Sequence, residues 1–184
     1  MAIAPFKLTY EEFCQLPESN LPHELIDGEL RMPAAPVRRH QRVTGTIYFA
    51  VRPHVEGRNL GLLELAPVDV VLDRDRPLVL QPDLLFILRE RAHIATDKVY
   101  GPPDLVVEVF SRAGAVFDRT EKAASYAQYG VREYWLVDLD AETFEVRCLE
   151  ARGYETVGLF RRGETLRSLI LPDLHLPVDV IFAD

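Results

Sequence analysis

Few folds can accommodate a segment such as Leu105-Val106-Val107-Glu108-Val109-Phe110. A near-continuous apolar run of this length, rich in β-branched residues, marks a central strand covered on both faces. A carboxylate inside such a strand is expensive to desolvate unless something compensates it, so Glu108 needs a partner. Asp83 poses the same problem at the start of Asp83-Leu84-Leu85-Phe86-Ile87, directly after Pro82. Two acids that each enter a buried strand can share one ion, because hard cations such as Mg²⁺ take a few carboxylate oxygens and keep several waters. For either acid alone, a solvated strand end or a pairing with one of the many arginines is the alternative.

The rest of the chain supplies layers for such a sheet. Thr9-Tyr10-Glu11-Glu12 reads as a capping box that opens a short helix through Leu16, closed by Pro17. Two short strand-like runs, 23–26 and 29–32, flank Asp27-Gly28, a dipeptide suited to positive φ at a tight turn. After the proline break at 33–36, Val43, Ile47, Ala50 and Val51 recur at helical spacing, and Pro53 is expected to limit that helix to Val51. Strands are expected over 60–66, 68–72 and 83–88, a loop over 92–103, a helix over 118–129 ended by Gly130, and strands over 133–137, 143–149 and 154–160. The apolar tail, 166–184, is expected to lie across the core. Strands and helices alternate only partly, so the expectation is an α/β chain (α+β, a mixed sheet flanked by helices) forming one domain over 1–184.

Lysine occurs only at Lys7, Lys98 and Lys122, which sets Lys122 apart from background. With Asp118 as N-cap and Glu121 completing the box, Lys122 lies roughly 6 Å into its helix. Glu108 lies roughly 7 Å back from the end of its strand. A helix packed antiparallel on that strand brings the two to similar depth, with Tyr126 on the same helix face at i+4. A solvated lysine is the alternative.

Composition restrains the functional reading. At 184 residues and 48% hydrophobic content the chain can bury one sizeable core. It shows no secretory leader and no apolar run long enough for a bilayer, so a cytoplasmic location is expected. Cys14 and Cys148 lack ligand spacing and read as ordinary buried thiols. A net charge of −8 argues against affinity spread along phosphates by a basic surface, although acids clustered around a bound cation weaken that objection. The basic cluster Arg38-Arg39-His40-Gln41-Arg42 is the best phosphate-facing candidate; an exposed helix start is its alternative. Asp69, in another strand, reads as structural.

The order of Glu24-Leu25-Ile26-Asp27-Gly28-Glu29-Leu30, His40, Pro82-Asp83-Leu84, Leu105 to Ser111, Lys122-x-x-x-Tyr126 and Gly130-Val131-Arg132-Glu133-Tyr134-Trp135 resembles the Uma-two restriction endonuclease family. The likeness spans 9–149, and its most specific parts are the Glu-Val-x-Ser strand ending and the Gly-Val-x-Glu-Tyr-Trp stretch. The resemblance implies a restriction-endonuclease-like fold with a PD-(D/E)xK core. A standard core has its lysine two residues after Glu108, where Phe110 stands; the resemblance implies that Lys122 on the next helix replaces it. It further implies an endonuclease cleaving DNA with Mg²⁺ or Mn²⁺ held by Asp83, Glu108 and the Val109 carbonyl. Glu24 would be an added carboxylate, His40, Arg38, Arg39 and Tyr126 substrate-side contacts, and a homodimer the working form. A non-catalytic nucleic-acid- or protein-binding module on the same fold is the competing expectation.

Overall fold

The computed structural model describes residues 7–17, 22–33, 35–111 and 117–183, apart from the side chain of Asp118. In chain order the elements are α1 (Tyr10–Cys14), the hairpin β1 (Glu24–Ile26) and β2 (Glu29–Arg31), α2 (Arg38–Arg58), β3 (Gly61–Leu65), β4 (Val70–Asp73), β5 (Leu78–Leu80) and β6 (Leu84–Leu88). A 3-10 segment, Arg89–Ile94, leads to β7 (Val99–Tyr100) and β8 (Leu105–Phe110). A π-helical turn, Asp118–Lys122, runs into α3 (Ala123–Tyr129), followed by β9 (Glu133–Asp138), β10 (Thr143–Glu150), β11 (Gly153–Phe160), β12 (Thr165–Leu166), β13 (Leu176–Pro177) and α4 (Val178–Ile181).

The large sheet has the order β11-β10-β9-β8-β6-β3, with β8 parallel to β9 and antiparallel to β6. Strand alternation sorts its side chains onto two faces. Leu84, Phe86, Leu105, Val107, Val109, Trp135 and Val137 meet α2 through Val43, Ile47, Val51 and Val55, and the C-terminal segment through Leu171 and Phe182. Leu85, Ile87, Val106, Phe110, Tyr134 and Leu136 meet the second sheet, β2-β1-β5-β4-β7, and α3. The second sheet's outer face is closed by Tyr10 and Phe13 of α1 against Leu25, Val71 and Val79. Burial on both faces explains why β8 carries no polar alternation, and it makes the mixed sheet flanked by helices the observed architecture. Glu133, fully buried in β9, anchors the tail by accepting from the Leu169 and Ile170 N–H groups and from the Trp135 indole.

Four local expectations are corrected. Cys148 is buried as expected, but Cys14, the last residue of α1, is exposed. The second helix does not stop at Val51 but continues through Pro53 to Arg58 and an αL cap at Asn59. Pro53 and Phe49, whose carbonyl loses its donor, are both exposed, so water can satisfy that carbonyl while Val51 and Val55 remain buried. Residues 92–103 hold the end of the 3-10 segment and β7, and Leu78–Leu80 forms a wholly buried strand too short to show a period. Phe117 already has helical angles, so Asp118 does not cap the third helix. Its part in a capping box lies outside the described side chains.

Candidate active site

The β1–β2 hairpin and β8 approach across the gap between the sheets. Leu25 faces outward into the α1 cluster, which turns Glu24 on the same strand inward. Glu108 projects from the same side of β8 as Val106 and Phe110, so it enters that gap too. The π turn then places Lys122 between the acids, its Nζ 2.8 Å from Glu24 Oε1 and 3.0 Å from Glu108 Oε1. Tyr126, one turn on, donates its hydroxyl to Glu108 Oε1 at 2.9 Å, and the backbone N–H of Gln81 donates to Glu24 Oε1 at 3.2 Å. Exposure of 2% for Glu24, 4% for Glu108 and 6% for Lys122 makes this a buried ionic cluster, in which each charge depends on the others. Burial, with the Glu108 carboxylate alongside, pushes the Tyr126 phenol well above its ordinary pKa, so it acts as a donor at working pH.

Asp83 completes the group from the neighbouring strand. β6 and β8 pair Leu84 with Val107, and one step further along that register Asp83 stands opposite Glu108. Its Oδ2 accepts from the Val109 N–H at 2.7 Å and lies 3.1 Å from His40 Nε2 at the start of α2. The N–H and C=O of one strand residue point the same way, so the Val109 carbonyl also faces the Asp83 side. Phe110 O, which accepts from Leu139 N on the other flank, agrees with that alternation. Both hydrogen bonds to the Asp83 carboxylate among the described residues end on Oδ2.

Three carboxylates therefore surround one ammonium and one imidazole, an arrangement that favours a further cation. No three His, Cys, Asp or Glu side chains converge into a metal cage among the described residues. The donor set of Asp83, Glu108 and the Val109 carbonyl fits the sparser shell of Mg²⁺ or Mn²⁺, which uses one or two carboxylates together with water and substrate oxygens.

A cavity of about 790 Å³ opens over this cluster, and Glu24, His40, Asp83, Glu108, Val109 and Lys122 contribute to its wall. Arg38 and Arg39 do not. Arg38 is exposed in the first turn of α2, and Arg39 is turned to the β9–β10 connection, where its Nη2 lies 2.5 Å from Glu142. Asp69 is held by Lys98 and the Gln81 amide and does not line the cavity. Wall residues that escape the sequence reading include Arg31, at the end of β2, and Phe117, whose ring centroid lies 4.4 Å from the Arg31 guanidinium. The hairpin turn identifies β2, but only the tertiary fold brings it against the π turn.

Residues 10–179 match the family described as "Uma2: Putative restriction endonuclease". Among solved structures, one described as a putative nuclease belonging to DUF820 from Anabaena variabilis ATCC 29413 is similar to this chain, with a TM-score of 0.80 at 20% identity over 96% of this chain and 98% of that one. That likeness shows that the two chains share one fold. No curated protein matches the chain, and no described helix is long and apolar enough to cross a membrane.

Proposed function

The chain belongs to the Uma2 family, and from that membership we propose that it is a metal-dependent endonuclease hydrolysing DNA phosphodiester bonds at Asp83, Glu108 and Lys122. The observation that carries this reading is the meeting of Lys122, from the helix, with Glu108, from the strand, at 3.0 Å beside Asp83. That placement supplies a cationic group at the carboxylates although Phe110 occupies the usual lysine position.

Asp83 and Glu108, with the Val109 carbonyl, would hold Mg²⁺ or Mn²⁺. When bound, such an ion polarises the scissile phosphate and lowers the pKa of a coordinated water. Lys122 donates hydrogen bonds at the point where water attacks phosphorus and offsets the charge that develops there. Glu24 and Tyr126 hold the Lys122–Glu108 pair in register, and His40 holds Asp83 Oδ2. The P–O ester bond breaks as the water oxygen bonds to phosphorus, and one proton ends on the departing oxygen.

The test is a Mg²⁺ or Mn²⁺ titration followed by cleavage assays on single-stranded, duplex and branched DNA. Asp83→Ala and Lys122→Ala should each lose about a hundredfold or more in rate. Unchanged cleavage in both variants removes the site assignment, and absence of metal binding removes the nuclease reading. The net charge of −8 favours the competing reading of a binding module with an idle site. That reading is upheld if DNA binds without being cut under any metal.

A further inference from the structure

The cavity has two unlike parts. Its floor is ionic, and its mouth is largely apolar, with Met32 and Val37 63% and 61% exposed and Phe117 beside them. Exposed apolar side chains gathered at one opening mark a surface that binds something. Of the basic residues on the wall, Lys122 and His40 meet the floor carboxylates with side chains 7% and 14% exposed, whereas the Arg31 side chain is 39% exposed. Its guanidinium stacks over Phe117 and meets Glu121 at 2.8 Å through a pair that is half exposed on both sides. An exposed pair of this kind is weak and readily exchanged for a phosphate.

This combination does not suit an intact duplex. Duplex binding draws its affinity from many phosphate contacts, and this acidic chain offers few at the cavity. Of the acids that must reach the phosphate, Glu108 is almost wholly buried and the Asp83 side chain is 18% exposed, so both are recessed in the cavity. A volume of about 790 Å³ is that of a small-molecule site and can take an extruded base and its sugar. Aromatic and arginine faces stack any base without sequence preference.

We propose that the cavity admits an unpaired nucleotide, its base against Met32, Val37 and Phe117 and a flanking phosphate at Arg31, so that single-stranded DNA is preferred over duplex. This substrate assignment rests on the nuclease reading above. Arg31 and Phe117 are substrate-positioning residues in it.

Binding is measured by anisotropy of a fluorescein-labelled oligothymidylate and of its duplex with oligodeoxyadenylate, in Ca²⁺, with cleavage of both followed separately in Mg²⁺ and Mn²⁺. The single strand should bind about tenfold more tightly than the duplex, and Phe117→Ala and Arg31→Ala should each weaken single-strand binding about tenfold. Thermal melting checks that the variants fold; if Phe117→Ala does not, the exposed Met32→Ser carries the same comparison. Equal or tighter duplex binding, binding of neither strand form, or variants that bind the single strand as the wild type does would each overturn the proposal. Metal-dependent cleavage without a single-strand preference removes this inference and leaves the nuclease reading intact. Single-strand preference without cleavage upholds a cavity that binds an unpaired nucleotide, but removes the nuclease reading and with it the nucleotide's role as substrate.

Discussion

Replacing Lys122 by methionine removes an ammonium that two buried carboxylates share while keeping most of the side chain's volume. The ion-pair contacts are 2.8 Å to Glu24 and 3.0 Å to Glu108, between side chains 3–7% exposed. At an effective dielectric constant near 20, each pair is worth roughly 6 kcal/mol before desolvation and the repulsion between the two acids are counted. The net cost of stranding them is about 3–5 kcal/mol, a large share of a domain's total stability. Urea unfolding in EDTA reads this directly, because Trp135 is the only tryptophan and is fully buried in the core beside α2. With an m-value of about 2 kcal/mol/M, the midpoint should fall by about 1.5–2.5 M. Adding Glu24→Gln and Glu108→Gln to Lys122→Met removes the stranded charges and should bring stability to within about 2 kcal/mol of the wild type. A loss below about 1 kcal/mol in Lys122→Met, or no recovery in the triple variant, would refute the view that these three groups form one mutually dependent cluster.

Two further outcomes follow from the same geometry. Because the Tyr126 phenol is pushed well above its ordinary value in the folded chain, the stability linked to its neutral form is fully present below the unfolded value near pH 10. It is lost as pH rises beyond that, at about 1.4 kcal/mol per pH unit. Tyr126→Phe should flatten the alkaline limb of urea-measured stability by about one proton, while costing about 1.5–3 kcal/mol at neutral pH through the lost bond to Glu108. Tyr129, pushed up to about 12, leaves part of the limb in place; an unaltered limb in Tyr126→Phe would contradict the assignment. Pro53→Ala restores a donor in the middle of α2 on its exposed side and should raise the melting temperature, with a gain of about 1–3 kcal/mol. A lower melting temperature would show that α2 needs the proline's bend.

Much of the local structure was legible because its causes are local. The capping box at Thr9 is present with both reciprocal bonds, Asp27 and Gly28 take positive φ in the hairpin turn, and Gly130 ends α3 in the αL conformation. The run Leu105–Phe110 forms a strand with those bounds. Misreadings arose where the local signal was ambiguous or overridden. Pro53 is tolerated because its cost falls on the wet side of a helix whose other side is buried. Arg39 belongs to a basic cluster in sequence but is satisfied by Glu142, more than a hundred residues away.

Glu108 shows where the division falls. Its sequence neighbours alone required that it be buried and therefore compensated, since desolvation depends on what lies on either side of it in the strand. Which groups compensate it was a tertiary decision. Glu24 reaches the cluster because β1 joins the second sheet through β5, Lys122 because a π turn precedes α3, and Asp83 because β6 runs antiparallel to β8. Arg31 and Phe117 meet across a comparable distance, as Arg31 and Glu121 do over 90 residues. Such pairings depend on closing long loops and stacking separate layers, and no short-range pattern encodes them.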